Sequence, residues 1–212
     1  EDVAYYGNWL REKAYEKLKS LYPTEQKGNP SAWIWVRTVK CPNPACGCQM
    51  PLASSYILRS RGNEDIWAEP VLQDGAIQFE LKTGSCPKEH KSNKIGSQGA
   101  VFRCPVCGSL TTDAYVKQMG QAHQIGAQMM AIVLETEGGS RYIAPNVLQQ
   151  AAANVPVPED IPPGEIPDNP HWFTPPGFGF KNYTDLFSPR QLTMLTTLCD
   201  LLCEVQNKAA SD

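Results

Sequence analysis

The chain is short of charge. Charged residues make up 19% of its 212 residues, and the balance between them is −3. That excludes a chain whose whole surface grips nucleic acid by counterion release, while leaving room for a local basic face. Long hydrophobic runs are missing too. No apolar stretch approaches the roughly 20 residues that span a bilayer, and no basic–apolar–small pattern opens the chain, so no membrane partner is expected. Recognisable catalytic signatures are wanting: no Walker lysine loop, nucleophile elbow or paired-histidine metalloprotease motif occurs. Cysteine is present at eight positions, too sparse for a disulfide scaffold. The pairing of these cysteines suits metal better, which points to a reducing, cytoplasmic compartment. Hydrophobic residues, at 42%, suffice for an ordinary core. The first residue is Glu1 and the opening segment already reads as helix, as expected of a piece of a longer polypeptide.

Two cysteine knuckles dominate what is there: Cys41-Pro42-Asn43-Pro44-Ala45-Cys46-Gly47 and Cys104-Pro105-Val106-Cys107-Gly108. Each sets two thiols on a tight turn, and the glycine after the second cysteine relieves crowding where backbone N–H groups turn toward sulfur. A thiolate pair on one turn is half of a tetrahedral Zn²⁺ site, and two turns complete it. The expected ligands are Cys41, Cys46, Cys104 and Cys107, in a closed structural site. Cys48 lies two residues after Cys46 and is an alternative ligand. Cys86-Pro87-Lys88-Glu89-His90 offers a further half-site that could join Cys48, although no fourth ligand is evident, and a polar loop with a free thiol is the simpler reading.

The coarse pattern is α+β: an antiparallel zinc ribbon with inserted hairpins, flanked by N- and C-terminal helices. Residues 2–21 read as a helix, with Asp2 as cap, Tyr6, Leu10, Ala14 and Leu18 on one face, and Pro23 as terminator. Ala32–Val39 reads as a strand entering the first knuckle, and Gln49–Leu58 as one leaving it. Ile66–Leu72 and Ala76–Leu81 flank Asp74-Gly75, a strong hairpin signal. A helix is expected from Thr112 to about His123, a second hairpin over Met129–Ala144 and a short helix over Asn146–Ala153. Proline-rich residues 154–187 read as a linker or irregular arm. Ser188 then caps a last helix, with Pro189 at its first position. Its apolar stripe is broad enough to require a packing partner, and Cys199 and Cys203 are expected in that packing. The expected organisation is therefore a domain over 1–153, an arm over 154–187 and a helix over 188–212.

Two segments imitate functional motifs. Asn169-Pro170-His171-Trp172 resembles the tetrad with which amino-methyltransferases hold a flipped base, but histidine stands where the second proline belongs. Gly177-Phe178-Gly179 lacks the strand and helix that a nucleotide-binding loop needs. His123 and His171 have no partner in sequence that suggests catalysis.

Several stretches resemble one internal part of the adenine-specific DNA methylases that contain a zinc ribbon. They are Asp2-Val3-Ala4-Tyr5-Tyr6-Gly7, Trp9-Leu10-Arg11, Leu21-Tyr22-Pro23, Arg37 through Gly47, Gln49 through Leu52, Gly126 through Val133 and Asp185 through Leu192. The resemblance implies a parent enzyme that uses S-adenosylmethionine to methylate the N6 amine of adenine in DNA. Its cofactor loop would precede this segment and its Asp-Pro-Pro-Tyr tetrad would follow. The chain would then be a non-catalytic insertion, with Cys41, Cys46, Cys104 and Cys107 matching the zinc ligands and duplex DNA and the rest of the parent enzyme as partners. Candidate phosphate contacts are Arg37, Lys40, Arg59, Arg61 and Arg103, which flank the knuckles and strands. The alternative is a protein–protein interaction module stabilised by structural zinc. An autonomous enzyme would instead need an open, three-ligand zinc site.

Overall fold

Short-range signals account for most of the elements. In a computed structural model, every residue is described except Glu1, Gln26, Asn63, Asp168, Pro170, His171, Trp172 and Asp212. The fold is α+β, with two antiparallel sheets and four α-helices among the described residues. Helix α1 (Asp2–Leu18) ends in a 3-10 turn, Lys19–Leu21, and has Asp2 inside its first turn. Strand β1 (Asn29–Lys40) runs into the first knuckle. The expected strand over Gln49–Leu58 is in fact two, β2 (Gln49–Pro51) and β3 (Ile57–Arg61). Between them the backbone is turned aside by two bonds to other segments and one local bond. Leu52 N–H donates to the Arg37 carbonyl, Ala53 N–H to Asn93 Oδ1, and Ile57 N–H to Ser55 Oγ.

Strands β4 (Glu64–Gln73) and β5 (Ala76–Gly84) form the expected hairpin. Its two turn residues, Asp74 (φ 52) and Gly75 (φ 77), are both left-handed, as a type I′ turn requires. Helix α2 (Asp113–Gln121) is capped by Thr112, whose Oγ1 accepts from Tyr115 N–H at 3.1 Å. Strands β6 (Gly126–Thr136) and β7 (Gly139–Ile143) make the second hairpin. Helix α3 (Val147–Ala153) is capped by Asn146. Ser188 and Gln191 bond reciprocally at the start of α4 (Pro189–Ser211), closing a capping box. No described helix is long and apolar enough to cross a membrane.

The chain forms two compact units. One comprises residues 1–24, 146–167 and 181–212. Here α1 packs on α4, the partner that the broad apolar stripe of α4 calls for. Leu192 and Leu201 are buried, Arg190 Nη1 donates to the Leu21 carbonyl at 3.0 Å, and the Arg190 guanidinium lies over the Tyr22 ring. Cys199 and Cys203 do not join that packing; both are exposed. The N-terminal helix thus groups with the C-terminal one, unlike the expected division into 1–153, 154–187 and 188–212. Complementary apolar faces pair α1 and α4 across nearly the whole chain, and sequence position does not register that.

The other unit comprises residues 25–145 and 168–180. It holds a four-stranded sheet of order β2-β1-β6-β7 and a three-stranded sheet β3-β4-β5. One core cluster gathers Val36, Ala53, Tyr56, Ala68, Phe79 and Met130. A second is built around three cysteines, Cys41, Cys48 and Cys104, together with Val39, Met50, Ile77, Phe102 and Val116.

Parts of residues 154–187, expected as a linker or irregular arm, are tied down within their own units. Ile166 N–H donates to the Lys181 carbonyl at 2.7 Å in the helical unit. In the sheet unit a 3-10 turn, Pro175–Phe178, lies against α2, so Gly177 and Phe178 sit in a packing turn and not in a nucleotide loop. The approach is glycine on glycine: a Cβ on Gly120 would collide with the Phe178 carbonyl, and one on Gly179 (φ 87) with the Gly120 carbonyl. Gly120→Ala should therefore destabilise this unit by about 1–3 kcal/mol through overpacking, read as a lower denaturation midpoint; an unchanged midpoint would show that the turn gives way freely. The tetrad beginning at Asn169 falls on Pro170, His171 and Trp172, outside the described residues.

Candidate metal centre

Each knuckle is closed by backbone bonds that follow from its sequence. In the first, Cys46 N–H and Gly47 N–H both donate to the Asn43 carbonyl at 3.0 Å, and Cys41 N–H donates to the Cys48 carbonyl at 2.8 Å. Asn43 Oδ1 also accepts from Ala45 N–H. In the second, Gly108 N–H donates to the Cys104 carbonyl and Cys104 N–H to the Ser109 carbonyl. Gly47 (φ 58) and Gly108 (φ 75) are left-handed, which is the reason glycine follows the second cysteine of each turn.

The two turns meet sulfur to sulfur. Cys41, Cys46, Cys104 and Cys107 have all their Sγ atoms within 4.8 Å of one another. Cys41 and Cys107 are 3.6 Å apart and Cys46 and Cys104 4.0 Å. A tetrahedral ion with metal–sulfur bonds of about 2.3 Å sets its sulfurs about 3.8 Å apart, so the four thiols could hold a metal ion. Cys104 and Cys41 are buried and Cys107 is exposed. Burial pushes the Cys41 thiol up to about 12, against the smaller pull of the Asn43 N–H. The Ser109 hydroxyl, 3.3 Å from Cys107 Sγ, and then the Ser109 N–H bring Cys107 down to about 6. A thiol held low by hydrogen bonds at the exposed rim thus stands beside a buried one, Cys41, held high by desolvation.

Strands and one side chain hold the knuckles in place. Asn93 is buried, and its Nδ2 donates to the Pro51 carbonyl at 2.7 Å and to the Arg103 carbonyl at 3.0 Å. Its Oδ1 accepts from Ala53 N–H at 3.0 Å. It therefore ties the strand leaving the first knuckle to the segment entering the second. Thr111, also buried, hydrogen-bonds Phe102 N–H on the far side of the second knuckle. Tyr115 of α2 donates to the Lys40 carbonyl at 2.9 Å, next to Cys41. Sequence reasoning passed over all three, and the loop residues Ser92 and Lys94 around Asn93 carry no signal that would have found it.

The other candidates are placed as follows. Cys86 and His90 are not gathered with Cys48: Cys86 N–H donates to Asp65 Oδ2 at 3.3 Å, and His90 Nδ1 lies 2.6 Å from Glu69 Oε1. Cys48 instead lies beside the four thiols, 3.5 Å from Cys46 Sγ and 3.6 Å from Cys104 Sγ. Among the proposed phosphate contacts, Lys40 and Arg103 are exposed and immediately precede the first cysteine of each knuckle. Arg61 is exposed on β3, and Arg59 is half-buried with no hydrogen-bond partner for its Nε among the described residues. Arg37 stacks its guanidinium 4.8 Å from the centre of the Phe180 ring. All eight cysteines are free.

No family model, no curated protein and no solved structure matches the chain.

Proposed function

We propose that the sheet unit is a zinc ribbon and that the chain is a non-catalytic accessory segment of an S-adenosylmethionine-dependent adenine-specific DNA methyltransferase, helping to hold duplex DNA in a reducing, cytoplasmic setting. The convergence of Cys41, Cys46, Cys104 and Cys107 carries the reading. Tetrahedral sulfur suits zinc or iron, and a closed set of four leaves no open position for substrate, so the ion's work is structural. The methyltransferase assignment rests on the sequence resemblance, and the DNA role on chemistry. Enzymes that extrude a base must grip the duplex around it, and Lys40 and Arg103 put one cation at the head of each rigid knuckle. Arg37, stacked on Phe180, suits holding the fold better than reaching for phosphate.

Titration of labelled duplex at several salt concentrations tests this. The chain should bind weakly, with affinity falling steeply in salt. Lys40→Ala with Arg103→Ala should flatten the log–log salt slope by about 0.9 for each phosphate no longer neutralised. Absence of binding at low salt would leave only a scaffolding role. Metal analysis should find one zinc per chain; iron in its place would overturn the zinc assignment.

One observation favours a second reading, a protein–protein interaction module. The helical unit leaves Leu148, Leu186, Phe187, Leu195 and Leu202 exposed. Apolar surface of this kind suits docking onto the rest of a parent enzyme. Retained association with that remainder after loss of DNA binding would select this reading.

A further inference from the structure

A fifth sulfur, that of Cys48, lies beside the four at the knuckles, against two of them. Cys46, Cys48 and Cys104 form a triangle with edges of 3.5, 3.6 and 4.0 Å. Those are the separations of thiolates sharing one ion, about 3.8 Å for tetrahedral zinc. Cys48 is buried in the core cluster around the knuckles. Packing alone accounts for that burial, since free cysteine is a common small core residue. It does not account for a thiol aimed at two sulfurs of the metal set.

The surroundings make exchange between the two sulfurs feasible. Gly47 separates Cys46 from Cys48 with φ 58, and a Cβ built on it would meet nothing closer than 3.8 Å. Nothing therefore crowds the chain between the two cysteines on that side. A cleft of about 390 Å³ opens beside the site between the knuckles and the tip of the β4–β5 hairpin, lined by Cys46, Cys48, Cys107, Val106 and Leu72. It brings solvent to this edge of the cluster and supplies an entry path for an ion.

We propose that Cys48 is an exchange ligand of the metal centre, taking the place of Cys46 so that one ion is held by Cys41, Cys104, Cys107 and either Cys46 or Cys48. The step balances. The metal–sulfur bond to Cys46 would break as the bond to Cys48 formed, and the proton lost by Cys48 would go to Cys46, so the net charge would be unchanged. Cys48 thereby backs up the most replaceable member of the set, and exchange at the cleft is the route by which the ion enters and leaves. This rests on the zinc reading above.

Zinc-edge X-ray absorption on the zinc-loaded full chain counts the sulfurs. Wild type should show four, Cys46→Ser should still show four with zinc affinity reduced less than about tenfold, and Cys46→Ser with Cys48→Ser should show three. Three sulfurs plus one lighter atom in Cys46→Ser, with four in wild type, would overturn the exchange while leaving the zinc site intact. A wild-type chain that takes no zinc would overturn both. The wild-type protein supplies a second measurement that needs no variant to fold. Brief alkylation of the zinc-loaded chain followed by peptide mapping should find, among the five knuckle cysteines, the label divided between Cys46 and Cys48, while the exposed Cys199 and Cys203 react in any case. Label confined to Cys48 would show that Cys46 never leaves the ion.

Discussion

Cys104→Ser should sharply weaken zinc binding and lower the melting temperature of the sheet unit by on the order of 10–20 °C. Cys104 is 1% exposed and sits where the metal set and the core cluster coincide. Structural zinc contributes roughly 10–16 kcal/mol of apparent binding free energy in small domains that fold around it. A unit with other core to rely on loses only part of that. Even about 5 kcal/mol, at roughly 2–4 °C per kcal/mol for a chain of this size, gives the stated shift. Two melting curves of wild type, with and without a strong chelator, should bracket the variant. If chelator and substitution both leave the melt within about 2 °C of wild type, the sheets stand without an ion and the structural role assigned to it is wrong.

The second large effect is expected at Asn93, a residue with no part in ligation. Its carboxamide makes three hydrogen bonds, to Pro51, Ala53 and Arg103, that fasten one knuckle to the other. Each is worth about 1 kcal/mol net, and removing the side chain also strands buried backbone partners. Asn93→Ala should therefore cost about 3–4 kcal/mol in chemical denaturation. Zinc affinity should fall about 10–100-fold, the usual range for groups that orient ligands without touching the metal. Asn93→Asp separates position from packing. It keeps the volume and the acceptor but turns an oxygen toward two carbonyls, so it should be at least as harmful as alanine. Full stability in Asn93→Asp would mean that shape alone matters there.

The legible part of this fold is the local part. The Cys-Pro…Cys-Gly frame announced two turns, and the left-handed Gly47 and Gly108 are its mechanical requirement. Asp74-Gly75 announced the β4–β5 hairpin, and Thr112, Asn146 and Ser188 marked the starts of three helices. The strand expected over Gln49–Leu58 failed for a related reason. Alternation of side chains identifies extended backbone but does not say with which strand it pairs. Here β2 pairs β1 while β3 pairs β4, and the corner between them is held by Asn93, far along the chain.

The same distinction applies within the site. Cysteine spacing named the four sulfurs and, separately, raised Cys48 as a rival to Cys46; that Cys48 lies within 3.6 Å of both Cys46 and Cys104 is visible only in three dimensions. From residue order alone came the turns, the caps, the candidate ligands and the low charge density, because each depends on atoms a few bonds apart. Tertiary structure alone decided that β1 lies against β6, that α1 joins α4, that Asn93 braces the knuckles and that Cys48 lies against two of the four thiols. Those outcomes depend on which apolar faces and polar groups find one another across long chain separations, and no short stretch of sequence carries that information.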